Sequence, residues 1–143
     1  MKKSFITFMV VCLAIVSTGC KSQSSANDPG MLTSVAEWEV SSINGNTPII
    51  EQYNRGLPTI GFTKDNKVTG HGGCNRYSGE YTLEGDKLTL GRMLSTKMFC
   101  EGGGEDAYMK ALGTASSYKA TKNKLVLLSA GTDEVLVFVP KKS

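Results

Sequence analysis

The sequence predicts an α+β domain: a mostly antiparallel β-sheet, wound as a meander into an open or cracked barrel, with one short α-helix laid across it. Three observations carry this. Apolar residues recur at every second position in short runs, Trp38 and Val40, Ile60 and Phe62, Tyr81 and Leu83, Leu88 and Leu90, the spacing of half-buried strands. Turn formers gather between the runs at 64–67, 84–86, 121–123 and 131–133, each cluster short enough to join antiparallel neighbours. One stretch breaks the period: after Gly102, Gly103 and Gly104, residues Ala107, Tyr108, Ala111, Leu112 and Ala115 fall three and four apart, as on a helix.

The chain opens with Lys2 and Lys3, an apolar run from Phe5 to Val16 and small residues ending at Cys20, which is how a secretory signal is built. The run is too short to span a bilayer as a helix, so residues 1–19 are expected to be a signal peptide of the lipoprotein type. Ser17-Thr18-Gly19-Cys20 resembles a bacterial lipobox, with Ser17 standing where an aliphatic residue is usual. The resemblance implies that Cys20 carries lipid and begins the mature chain. Two or three acyl chains hold a protein on a membrane where one does not, and Lys21 after the cysteine points to the outer membrane, facing the periplasm. Residues 20–34 are then a lipidated cysteine and a flexible tether, polar and poor in apolar residues, and 35–143 form the folded domain.

That length suits one domain, and no repeat of fixed period is present. Loss of Lys2 and Lys3 takes the formal charge from +3 to +1, so nothing calls for nucleic acid. Lys141 and Lys142 read as solvated tail charges. Within the domain, Glu105 and Asp106 suit the first turn of a helix running to Tyr118. The closing runs KLVLLS from Lys124 and VLVFVP from Val135 are continuously apolar and are expected to be buried on both faces.

Trp38, GHGGCNRYSGEY at 70–81, LSTKMFC at 94–100, the acidic helix with ALGTASSYK, and the closing KLVLL and VLVF together resemble the META domain family of HslJ-like heat-shock and envelope lipoproteins, over residues 35–139. The most specific piece is Gly73, Cys74 and Asn75 with Tyr77 and Gly79, paired with Thr96-Lys97-Met98-Phe99-Cys100. One departure is visible: Glu101 and three glycines stand where members carry a proline or a short polar stretch before the helix. The resemblance implies a small β-sheet domain with one helix, carried by envelope lipoproteins, without established catalytic activity. Members are associated with heat stress, antibiotic tolerance and, in some organisms, virulence or motility.

Cys74 and Cys100 are the only cysteines of the folded part, and export to an oxidising space makes their disulfide the leading expectation. Two chemical alternatives use the same residues. His71, Cys74 and Cys100 supply three zinc ligands with water in the fourth position, although the motif offers no second histidine or carboxylate. A cysteine nucleophile with His71 as base is the other, without a clear orienting Asp or Asn. The plain reading of His71 is a solvent-facing strand or turn residue. Gly70, Gly72, Gly73 and Gly79 allow positive φ, bulges or close strand contact, and Asn75 tolerates the left-handed region. No lysine-serine or lysine-threonine ending marks a phosphate loop. Asn75 and Arg76 either present a polar surface at the turn or are simply solvated. Trp38 and Tyr81 are expected in the core.

The expectation is thus a non-catalytic envelope protein, with no catalytic residue, cofactor or metal assigned. It would be anchored to the membrane by its N-terminal lipid and would bind an unknown protein or a small apolar ligand, or support the envelope under stress. A small thiol/His enzyme and a protease-inhibitor-like binding protein are the alternatives.

Overall fold

Alternating strands separated by tight turns have one way to bury a common face, and the chain takes it. The computed structural model describes residues 28–143; the signal peptide at 1–19, the lipidation at Cys20 and most of the tether lie outside the described residues. The order is α1 (Pro29–Ser34), β1 (Trp38–Ile43), a 3-10 turn (Ile50–Gln52), β2 (Thr59–Phe62), β3 (Lys67–His71), β4 (Arg76–Glu84), β5 (Lys87–Leu90), β6 (Leu94–Ser95), α2 (Gly104–Thr114), β7 (Ala115–Thr121), β8 (Lys124–Ser129) and β9 (Glu134–Pro140).

Pairing is antiparallel throughout and runs β1-β2-β3-β4-β5-β7-β8-β9 and back to β1. The meander therefore closes into an eight-stranded barrel. Between β5 and β7 a single registered pair, Lys87 opposite Ser117, is joined by the Tyr118 N–H reaching the Asp86 carbonyl at 3.0 Å. β6 prolongs β5 along β4 after an irregularity: Tyr81 faces Leu90 but Ser78 faces Leu94, so one extra residue is accommodated, as in a bulge.

The period-two residues point inward. Trp38, Val40, Ile60, Phe62, Tyr77 and Tyr81 are all buried, and each such large apolar side chain contributes roughly 1.5–3 kcal/mol relative to exposure. β8 is buried on both faces from Leu125 to Leu128. β9 is not, contrary to the reading of VLVFVP: Leu136 and Phe138 are inside while Val139 is 40% exposed. Its outer face meets solvent, so β9 is an ordinary half-buried strand.

Three assignments are corrected at the helices. Residues 29–34, placed in the tether by composition, form α1: the Asp28 carboxylate accepts from the Gly30 N–H at 2.8 Å and Pro29 sits at the helix start. Leu32 is fully buried and its carbonyl accepts from Trp38 Nε1–H at 3.2 Å. One leucine in a polar stretch docks the whole turn, which local composition does not reveal. The helix expected to reach Tyr118 stops at Thr114, whose hydroxyl donates back to the Ala111 carbonyl at 2.8 Å. From Ala115 the chain is strand, because Tyr118 and Ala120 fill the barrel. Ala107, assigned to the buried face, is exposed, and Ala115 belongs to β7.

Because neighbouring strands alternate in direction, β1 and β7 start at opposite mouths of the barrel. α1, leading into β1, closes one mouth; α2, leading into β7, closes the other together with the β3–β4 turn.

Candidate functional site

The α2 mouth collects the motif residues singled out in the sequence. The turn from β3 to β4 closes with the Gly72 N–H on the Asn75 carbonyl at 2.9 Å. Gly73 holds φ at 98°, where a side chain is disfavoured, and a Cβ there would run into the Tyr53 ring. Of the four glycines, Gly73 is the one with positive φ, and Asn75 does not adopt the left-handed region. Gly70 serves a different need: a Cβ there would meet the Tyr77 ring and the Thr59 carbonyl, so its absence makes room for Tyr77 to cross the barrel. Gly79 lies beside the bulge, where the Met93 sulfur and the Arg92 carbonyl close in.

Asn75 is neither a surface group nor a solvated turn residue; it is 8% exposed and every polar atom is used. Its backbone N–H donates to Glu105 Oε1 at 2.7 Å and its Nδ2 donates to Glu105 Oε2 at 2.8 Å. The same Nδ2 reaches the Met98 carbonyl at 3.2 Å, while Oδ1 accepts from the Met98 N–H at 2.6 Å and the Thr96 hydroxyl at 2.9 Å. One amide thus binds the hairpin to α2 and to the segment before it. Arg76 does sit exposed, its N–H held by the Thr96 hydroxyl at 3.1 Å.

Cys74 and Cys100 are joined in a disulfide, with Cα atoms 6.1 Å apart. Two sulfurs bonded to each other supply neither thiolate ligands for zinc nor a nucleophile. Among the described residues no three His, Cys, Asp or Glu side chains gather as a metal site. His71, read as solvent-facing, is half-buried, and its Nδ1 accepts from the Gly73 N–H at 3.1 Å. Burial, with Lys141 nearby, lowers its pKa from the usual imidazole value.

Below the turn, the Tyr77 hydroxyl donates to the Thr59 carbonyl at 2.8 Å and meets the Tyr108 hydroxyl at 2.7 Å. Burial pushes both phenols up, so they stay neutral at any ordinary pH. This pair fixes α2 on the barrel floor and offers no accessible acid or base. Outside the barrel, an open groove of about 1170 Å³ runs past Glu37, His71, Arg76, Thr96 and Lys141. Burial raises the Glu37 pKa, but Lys141 at 2.9 Å and the Thr59 hydroxyl at 2.7 Å outweigh it and hold the carboxyl below its usual value.

Sequence reasoning missed Glu105 as Asn75's partner, and missed Thr96 and Met98 as its other partners. As sequence, Glu105 is only a first-turn acid; an acidic residue directly after a glycine run, with an asparagine beside a cysteine elsewhere, is the available signal. It also missed that Phe99, in the LSTKMFC piece, is 92% exposed, with Leu94 at 64% and Met98 at 42%.

A closed meander barrel whose one mouth is stapled and hydrogen-bonded shut by a helix defines a class of small β-barrel domain built for rigidity at that mouth. Comparison with known families makes the class specific: the META domain matches residues 31–143, and the chain belongs to that family. Among solved structures, it is similar to a DUF4847 family protein from Bacteroides vulgatus, at 17% identity over 80% of this chain and 98% of that one, with a TM-score of 0.55. It is also similar to a Burkholderia xenovorans protein solved by NMR, at 22% identity over 90% and 100% of the two chains, TM-score 0.61. A further NMR structure has 24% identity over 79% and 94%, TM-score 0.60. These likenesses speak to the fold. No curated protein matches the chain.

Proposed function

We propose that this META domain is a non-catalytic binding module, held at the outer membrane through lipid on Cys20 and facing the periplasm, that engages a protein partner at its α2 mouth. The carrying observation is Phe99, 92% exposed between Met98, whose backbone Asn75 holds, and Cys100, which the disulfide holds. A large apolar side chain displayed on an immobilised backbone binds without further ordering of the chain, which is where affinity is otherwise lost. The META domain family is not a known enzyme family, and both sulfurs that a thiol/His enzyme would need are engaged. A part in withstanding envelope stress rests on the family resemblance.

The test is a photo-crosslinking residue placed at Phe99 in the full chain in cells, against one at Lys122, exposed in the β7–β8 turn at the other mouth. Defined protein adducts from position 99 and not 122, lost from the membrane fraction in Cys20→Ser, are expected. Equal, diffuse labelling from both positions would reject the reading.

A further inference from the structure

Residues 96–100 carry a backbone pattern that says more about the partner. The segment runs without turn or bend. Both backbone groups of Met98 are occupied, the N–H by Asn75 Oδ1 at 2.6 Å and the carbonyl by Asn75 Nδ2 at 3.2 Å. Among the described residues no hydrogen bond engages the backbone of Lys97 or of Phe99. In an extended chain alternate residues point their N–H and C=O to the same side. Lys97 and Phe99 therefore offer their polar edges outward, while Met98 is tied inward to the barrel.

That alternation is what a serine protease reads. Its cleft takes a substrate as an added antiparallel strand, bonding the backbone of the residue that enters the primary pocket and of the residue two before it, and leaving the one between unused. With Phe99 as the pocket residue, Lys97 is the second bonded residue and Met98 the unused one. We infer that Thr96–Cys100 is an inhibitory loop that occupies the cleft of a serine protease with an apolar primary pocket, Phe99 filling that pocket. This rests on the α2 mouth being the binding end.

The same features explain inhibition in place of cleavage. If the protease serine attacks the Phe99 carbonyl carbon, an ester forms, the Phe99–Cys100 C–N bond breaks, and the serine's proton passes through the protease histidine to the Cys100 nitrogen. That amine cannot diffuse away, because the Cys100 side chain is bonded to Cys74, and the ester's side is held through Met98 by Asn75, itself beside Cys74. The amine attacks the ester again, restoring the peptide bond and the serine hydroxyl, before water intervenes. Membrane insertion of Phe99, Met98 and Leu94 is the competing use of this loop. Lys97 within it, and backbone groups held ready for hydrogen bonds, suit a protein cleft better than hydrocarbon.

The experiment uses the full chain, purified in detergent without reductant, with chymotrypsin and trypsin as probes and chromogenic peptides as readout. Chymotrypsin should be inhibited stoichiometrically and trypsin not. Phe99→Ala should weaken inhibition by on the order of 100-fold, as for a central anchor, and Phe99→Lys should transfer inhibition to trypsin, a gain that a merely structural residue would not produce. Ordinary cleavage at Phe99–Cys100 without inhibition overturns the proposal. So does Phe99-dependent binding to phosphatidylethanolamine–phosphatidylglycerol vesicles with neither protease inhibited. Position-specific crosslinks at Phe99 alongside either negative result would leave the binding module standing and remove the protease.

Discussion

Replacing Cys74 and Cys100 together by serine should lower the stability of the domain by an amount its loop length fixes. The two residues lie 26 apart in the chain; closing a loop of that size removes unfolded-state entropy equivalent to about 3.5 kcal/mol at 25 °C. For a domain of this size each kcal/mol corresponds to roughly 4 °C in midpoint, so the double variant should melt about 14 °C below the parent. The assay is thermal unfolding followed by circular dichroism, both proteins in the same detergent without reductant, with urea unfolding as a second measure. The hydrogen bonds of Asn75 to Glu105 and Met98 survive the substitution, so the folded barrel should keep its far-ultraviolet spectrum. A fall of less than about 5 °C would refute the reasoning, since it would mean that the unfolded chain is already restrained around the α2 mouth or that the folded mouth does not need the link.

Gly70→Ala should destabilise the barrel by about 2–3 kcal/mol, because the added methyl meets the Tyr77 ring and the Thr59 carbonyl in a filled interior; urea unfolding measures it, and a cost under 1 kcal/mol would show that Tyr77 can move aside. His71 is the chain's one histidine, and its pKa in the folded state is lowered, first by burial. The unfolded state then binds the proton more readily, so stability should be full above pH about 6.5 and fall as the pH drops through that value. His71→Gln should flatten this segment of the midpoint-against-pH curve, and an imidazole titrating by NMR above 6.5 would contradict it.

The barrel strands were legible because each buries one face locally: Trp38, Ile60, Tyr81 and Leu88 announce themselves by their two-residue spacing. β7 was not, since ALGTASSY continues the helical spacing of Tyr108, Ala111 and Leu112, and only the need of Tyr118 to fill the interior sets the boundary at Thr114. α1 escaped notice for a similar reason, because Leu32 is isolated in a polar stretch and gains its value from a barrel mouth that 29–34 cannot announce. At the site, Cys74, Asn75 and Tyr77 stood out as residue types, but their tasks depend on Glu105, Met98 and Thr59, each more than fifteen residues away along the chain. Contacts of that range are made by topology, and a periodic pattern carries no trace of them.

The placement of the two helices gives the molecule a direction. β1 begins and β9 ends side by side, the Lys141 N–H reaching the Glu37 carbonyl at 3.0 Å. Both ends of the described chain thus run toward the pole from which β1 starts, and Phe99 stands toward the other, next to the cysteine that staples the β3–β4 turn. Whatever grips the chain upstream of Asp28 holds it by its base. A surface, a bead or a fused partner attached there leaves the opposite pole pointing outward and unobstructed, like the head of a pin.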